Sequence, residues 1–202
     1  MPSIYQLKTR FQDLLRPLCT ALARVGVTAN QVTLAAMALS FAGGGAIAWW
    51  RLERWPLLVM PALLLARMAL NAIDGMLARE HDMKSALGAI LNELGDVLSD
   101  AALYLPLALV PEFPPELIVA LVVLAGASEM AGVIGVQIGA SRRYDGPMGK
   151  SDRAFVLAAC CLAVGLGAPG GLWLGLVLTA TLVLLALTLV NRCFGALKEL
   201  RG

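Results

Sequence analysis

Long stretches without charge dominate this chain and restrict what it can fold into. Gln31 to Trp50, Ala154 to Gly171 and Leu172 to Val190 carry no charged residue, and Leu117 to Ala140 carries only Glu129. A helix needs about 20 consecutive apolar residues to cross the hydrocarbon of a bilayer, and these runs reach that scale. Two further runs are apolar but interrupted: Trp55 to Ile73 by Arg67 and Asn71, and Ala86 to Val110 by Asn92, Glu93, Asp96 and Asp100. A soluble domain would carry roughly a quarter charged residues; this chain of 202 carries 15%. The pattern predicts an all-α integral membrane protein, with six transmembrane helices preceded by an amphipathic interfacial helix. Residues 1–26 form that helix and 27–202 the six-helix transmembrane domain. Membrane lipids are the expected surroundings, and no nucleic-acid partner is expected.

Orientation follows from Lys and Arg, which accumulate in cytoplasmic connections. Lys8, Arg10, Arg16 and Arg24 precede the first span, and Arg79 and Lys84 fall between the second and third. Arg142, Arg143, Lys150 and Arg153 lie between the fourth and fifth, and Arg192, Lys198 and Arg201 follow the last. Only Arg51 and Arg54 fall on the opposite side, so both termini are placed in the cytoplasm. Trp49, Trp50, Trp55 and Trp173 then sit at the outer boundary as interfacial anchors. Ile4, Leu7, Phe11, Leu14, Leu18 and Leu22 recur at steps of three and four, the spacing of a helix lying in the cytoplasmic interface. Pro17 is expected to kink it, and Asn30 is placed to cap the first span. No cleavable signal peptide is expected, because the first ~25 residues lack a continuous apolar core. The four cysteines read as apolar packing residues, and His81 as a solvated loop residue.

The polar residues inside the second and third spans are periodic. Arg67, Asn71, Asp74 and Ala78 share one helical stripe with Gly75 beside it; Gly88, Asn92, Asp96 and either Ser99 or Asp100 share another, with Glu93 about 100° round from Asn92. Carboxylates within a membrane helix are costly and face a polar interior. Facing carboxylates repel unless a cation lies between them, and oxygen ligands favour Mg²⁺ or Mn²⁺. Gly75, Ala78 and Gly88 leave room for a ligand. The pattern implies a divalent-metal site open to the cytoplasm and suited to a phosphate-bearing ligand. Arg67 and Glu129, both deep, are read as a buried pair.

This stretch resembles the signature of the CDP-alcohol phosphotransferase family, D-x2-D-G-x2-A-R-x8-G-x3-D-x3-D. Asp74, Gly75, Ala78, Arg79, Gly88 and Asp96 match at every spacing, while Asn71 and Asn92 stand at the first and third aspartate positions. The "VTANQVT" segment (Val27 to Thr33) is similar to the family's entry into its first span, with Ala29 where Pro is usual. The resemblance implies a membrane enzyme of phospholipid synthesis in a bacterial inner membrane, its active site facing the cytoplasm. It would transfer a phosphatidyl group from a CDP-alcohol, CDP-diacylglycerol above all, to a hydroxyl acceptor with release of CMP. By the same resemblance Asp74 is a metal ligand near the pyrophosphate. Gly75 and Ala78 give clearance for the cytidine, Gly88 completes the cofactor-binding set, Arg79 steadies the phosphates, and Asp96 is the base toward the acceptor hydroxyl. Arg142, Arg143, Lys150 and Arg153 are candidates to grip an acceptor phosphate. A homodimer through membrane helices is implied, with Gly126 and Gly43 to Gly45 as close-packing surfaces.

The family's first and third aspartates hold a metal pair, and an amide offers a neutral oxygen in place of a charge. Three readings stay open. Glu93 and Asp100 restore the lost charge, so that Asn71, Asp74, Asn92, Glu93, Asp96 and Asp100 make the metal set. Alternatively, Asp74 and Asp96 hold one metal with amide help. In the third, the protein is a catalytically silent CDP-lipid binder or scaffold. Retained catalysis is favoured, since Asp74, Arg79, Gly88 and Asp96 have little purpose in a merely structural helix pair. A transporter is disfavoured, because the acidic cluster lies near one face with no counterpart at the other.

Overall fold

The computed structural model describes residues 4–201, with the side chains of residues 4–9 outside the description. Ile4 and Leu7 of the expected amino-terminal stripe, and Lys8, therefore lie outside the described side chains. Every regular element among the described residues is helical: α1 (Ile4–Arg24), α2 (Ala29–Trp49), α3 (Trp55–Glu80), α4 (Ala86–Tyr104), α5 (Pro115–Gln137), α6 (Lys150–Gly165) and α7 (Leu172–Glu199).

Four of these, α2, α3, α5 and α7, are long and apolar enough to cross a membrane, as expected of an integral membrane protein. The two other expected spans correspond to α4 and α6. Helix α4 has 19 residues and carries Glu93, Asp96 and Asp100. It ends at Tyr104, where a 3₁₀ turn (Leu105–Leu109) begins with Pro106 in its first positions, since a proline lacks the N–H that would continue an α-helix. Helix α6 has 16 residues, about 24 Å at 1.5 Å per residue. It stops short of the expected Gly171, where Gly167 takes a φ of +105°. Helix α3 runs past Ile73 to Glu80, so the whole Asn71–Arg79 segment is helical.

The chain divides into two compact units. The first comprises the chain up to Ala42 together with Ala62–Ser99. Its core gathers Cys19, Ala29, Val32, Ile73, Met76 and Leu77, with Leu15, Leu22 and Met83 packed on it. Helix α1 thus presents Leu15, Cys19 and Leu22 to the core, at steps of four and three on one face. Leu14 and Leu18, of the stripe expected to lie in the interface, are 76% and 51% exposed. They lie one position, and so about 100°, round from Leu15 and Cys19. Helix α1 is continuous through Pro17.

The start of α2 also differs from expectation. Thr28 Oγ1 accepts the Gln31 backbone N–H at 3.3 Å while Gln31 Oε1 accepts the Thr28 N–H at 2.9 Å. This reciprocal arrangement is a capping box, so Thr28 caps the helix and Asn30 is released for other use. The Thr-x-x-Gln spacing was visible in the sequence.

The second unit comprises Gly43–Pro61 and Asp100–Gly202. Within it α5 packs along α7, and Ala125, Met148 and Leu185 form a buried cluster. Gly44 lies so close to the carbonyl of Ala102 that any added Cβ would collide with it. Gly44 is thus used inside the fold; Gly45 faces open space. Trp50 and Trp55 stack edge to face, 5.1 Å between ring centroids.

Candidate functional site

The first unit contains a cavity of about 420 Å³, with Thr33, Asp74, Gly75, Ala78, Arg79, Gly88 and Asn92 among its lining residues. Five of the six residues that match the family signature thus share one wall. They do so because helical α3 brings positions 74, 75 and 78 to one side, and α4 brings 88 and 92 one turn apart. At two of these positions glycine lets neighbouring side chains approach closely. A Cβ on Gly88 would lie 2.8 Å from Asn30 Oδ1 and 3.0 Å from Ser85 Oγ, and one on Gly75 would lie 3.0 Å from Arg79 Nη1. Arg79 therefore folds back along α3 over Gly75. Ser85 Oγ accepts the Gly88 N–H at 2.9 Å, which fixes the first turn of α4 as an N-cap does.

The two matching aspartates are held differently. Asp74 is buried, and its Oδ2 accepts a hydrogen bond from Thr33 Oγ1 at 2.9 Å. Asp96 is half-buried; its Oδ1 accepts from Asn71 Nδ2 at 3.2 Å, and its backbone carbonyl accepts from Arg67 Nη2 at 3.2 Å. Arg67 itself is only 3% exposed. Sequence reasoning missed Thr33 and Ser85 as site residues. Their signal was position alone: Thr33 ends the "VTANQVT" entry, and Ser85 precedes α4 three residues before Gly88.

Several expected residues belong to the second unit and are engaged there. Asp100 Oδ2 accepts from Arg153 Nη2 at 3.1 Å. Glu129 receives Arg153 at 3.3 Å, Arg192 at 3.2 Å and Arg142 at 3.5 Å. This cluster stands where sequence reading paired Glu129 with Arg67. Arg153, expected in an accessible basic loop, is fully buried. Arg142 also lies over the ring of Tyr144, 5.0 Å from its centroid. Arg143 bonds Asp145 at 2.7 and 2.9 Å and Glu199 at 2.6 Å, while Ser141 donates to Glu199 from both its backbone N–H and its hydroxyl. The Arg143 guanidinium holds the Asp145 carboxyl below the usual carboxylate range. Lys150 opens α6.

For a divalent cation, the first unit offers the carboxylates of Asp74 and Asp96 and the amide oxygens of Asn71 and Asn92. Such all-oxygen donors fit Mg²⁺ or Mn²⁺. Among the described residues no three Asp, Glu, His or Cys side chains converge closely enough to hold an ion.

Residues 26–190 match the family model described as CDP-alcohol phosphatidyltransferase. The chain is 44% identical over 193 residues to the inner membrane protein YnbA of Escherichia coli (strain K12), covering 95% of this chain and 94% of YnbA. Its fold is similar to that of Mycobacterium tuberculosis phosphatidylinositol phosphate synthase (PgsA1) with CDP-DAG bound. There the TM-score is 0.75 at 20% identity, covering 89% of this chain and 92% of that one. The same synthase in complex with manganese and citrate gives a TM-score of 0.75 at 20% identity, covering 90% and 88%. With a family model spanning most of its length and a relative of this identity, the chain belongs to the CDP-alcohol phosphatidyltransferase family.

Proposed function

We propose that this protein transfers a phosphatidyl group from CDP-diacylglycerol to a hydroxyl acceptor, releasing CMP. The observation that carries this reading is the cavity on which Asp74, Gly75, Ala78, Arg79 and Gly88 converge. Family membership and the likeness to a synthase with CDP-DAG bound support it. Gly75 and Ala78 leave clearance for the cytidine, and Gly88 keeps the opposite wall open. The Arg79 guanidinium, folded over Gly75, is placed to meet the phosphates, which planar guanidinium donors bind well.

Asp74, Asp96, Asn71 and Asn92 would hold a divalent cation, Mg²⁺ or Mn²⁺, which would supply positive charge to offset the pyrophosphate and ease departure of CMP. Asp96 is the general base. Asn71, donating to its Oδ1 at 3.2 Å, orients the carboxylate that takes the acceptor's proton as the acceptor oxygen attacks the phosphorus. Glu93 is a nearby carboxylate on α4 that adds negative charge to this region. Lys150 remains a candidate for acceptor binding at the start of α6. Arg142, Arg143, Arg153 and Asp100, engaged with carboxylates and arginines of their own unit, act by holding the connection between α5 and α6.

The protein sits in a bacterial inner membrane with six spans, both termini and the cavity facing the cytoplasm, α1 lying along the interface, and two copies associating through membrane helices. YnbA being an inner membrane protein supports the location. The test is CMP release by the purified protein given CDP-diacylglycerol, Mg²⁺ or Mn²⁺ and a panel of alcohols. Asn71 and Asn92 favour one rival, a silent CDP-lipid binder; that reading is right if CDP-diacylglycerol binds but no alcohol in the panel releases CMP.

A further inference from the structure

Resting on the reading above, we infer that Lys84, in the connection between α3 and α4, binds phosphate in the cavity, giving the nucleotide diphosphate a second cation beside Arg79. Lys84 falls among the eight positions between Arg79 and Gly88 that the family signature leaves unspecified. The charge on the cavity wall leads to this assignment. Among the described residues, the charged side chains lining the cavity are Asp74, Arg79 and Lys84. Asp74 is buried and bonded to Thr33. No carboxylate of the described residues pairs with Arg79 or Lys84; Glu80, next to Arg79 in the chain, meets Arg16 at 3.5 Å instead. The second unit differs in this respect, since Arg142, Arg143, Arg153 and Arg192 each meet a carboxylate. A single unpaired lysine is ordinary on a surface. Two unpaired cations on one concave wall are suited to a ligand carrying more than one negative charge.

The backbone on either side of Lys84 is anchored. Asp82 takes the left-handed conformation, with a φ of +54°, which aspartate enters more readily than most residues. It turns the chain between α3 and α4. Met83 then packs on the core of the first unit, and Ser85 Oγ accepts the Gly88 N–H at 2.9 Å. Lys84 lies between these two fixed neighbours, so its Cα has a set place on the wall. Its four-carbon stem leaves the ammonium free to follow the phosphates as a compact point charge. Arg79 contributes differently, because its planar fork offers paired donors in fixed directions. The guanidinium orients the diphosphate and the ammonium adds attraction.

The test measures binding rather than turnover. Purified full-length protein in lipid nanodiscs, with Mg²⁺ present, is titrated with CDP in a calorimeter. Lys84→Gln is expected to weaken CDP binding about 5- to 20-fold, the scale of a charge-assisted hydrogen bond discounted for exposure. Lys84→Arg, which keeps the charge, is expected to stay within about threefold of the native chain. Added NaCl should weaken CDP binding more steeply in the native protein than in Lys84→Gln, since salt screens the contact that the variant lacks. A merely structural role for Lys84 would not flatten that salt response. The inference is overturned if the native protein does not bind CDP, if Lys84→Gln binds it as the native chain does, or if the variant's loss leaves the salt response as steep as before. Lys84 is exposed, so its replacement leaves the core intact, and an unfolding midpoint equal to the native one checks this. The transferase reading fails separately, as absent CMP release from CDP-diacylglycerol by a native protein whose CDP binding still depends on Lys84.

Discussion

Thr33 on α2 and Asp74 on α3, both buried, are joined by a 2.9 Å hydrogen bond from the threonine hydroxyl to Oδ2 of the aspartate. The bond fixes the orientation of a carboxylate that lines the cavity. Thr33→Val keeps the shape and removes the donor. The expected result is a rise of about tenfold or more in the Mg²⁺ needed for half-maximal CMP release, since partners that orient a metal ligand are worth that much. An unaltered metal dependence in a folded Thr33→Val protein would remove Thr33 from the site.

Asp96 bears the base chemistry. Asp96→Asn should slow turnover by ~10²- to 10⁴-fold, the usual cost of losing a general base. Binding of CDP-diacylglycerol, followed by calorimetry, should change little, because Asp74 and Arg79 are untouched. Turnover near that of the native protein would rule Asp96 out as the base.

Glu129 is the carboxylate shared by Arg142, Arg153 and Arg192. Glu129→Ala leaves buried guanidiniums without their counter-charge, a loss that costs about 3–5 kcal/mol when one partner of a buried pair is removed. The unfolding midpoint in a detergent titration should fall well below that of the native chain. A midpoint that does not move would mean the cluster adds nothing to stability.

The connection between α5 and α6 should loosen in acid. Arg143 lowers the pKa of Asp145, so ionised Asp145 favours the folded loop above the ordinary aspartate pKa, and the contribution fades as pH falls through the lowered value. Hydrogen exchange of residues 141–149, corrected for intrinsic rate, should therefore stay slow from pH 7 to about pH 5 and accelerate below about pH 4. In Asp145→Asn the loop should exchange faster at neutral pH, leaving only the response carried by Glu199.

What was legible in the sequence divides along physical lines. Uncharged runs betrayed α2 and α7, because hydrophobic length needs no partner to be recognised. The spacing of Asp74, Gly75, Ala78, Arg79 and Gly88 announced a common wall, because 3.6-residue periodicity translates directly into a shared face. Partner choice was not legible. Glu129 has three arginines from separate parts of the chain around it, and spacing along a chain says nothing about which of several distant cations arrives. On α1, Leu14 and Leu15 are adjacent and equally apolar, and only packing decides that Leu15 turns to the core while Leu14 stays exposed. The end of α4 was missed by letting the apolar run past Pro106 outweigh the proline.

The cap at Thr28 and Gln31 has a consequence well inside the protein. It is an indexing stop for α2. A start displaced by one residue would rotate everything after it by about 100° and shift it about 1.5 Å along the axis, swinging Asn30 off Gly88 and the Thr33 hydroxyl off Asp74. Two hydrogen bonds at the surface end of a helix thus set the rotational phase of a carboxylate's support more than one turn away.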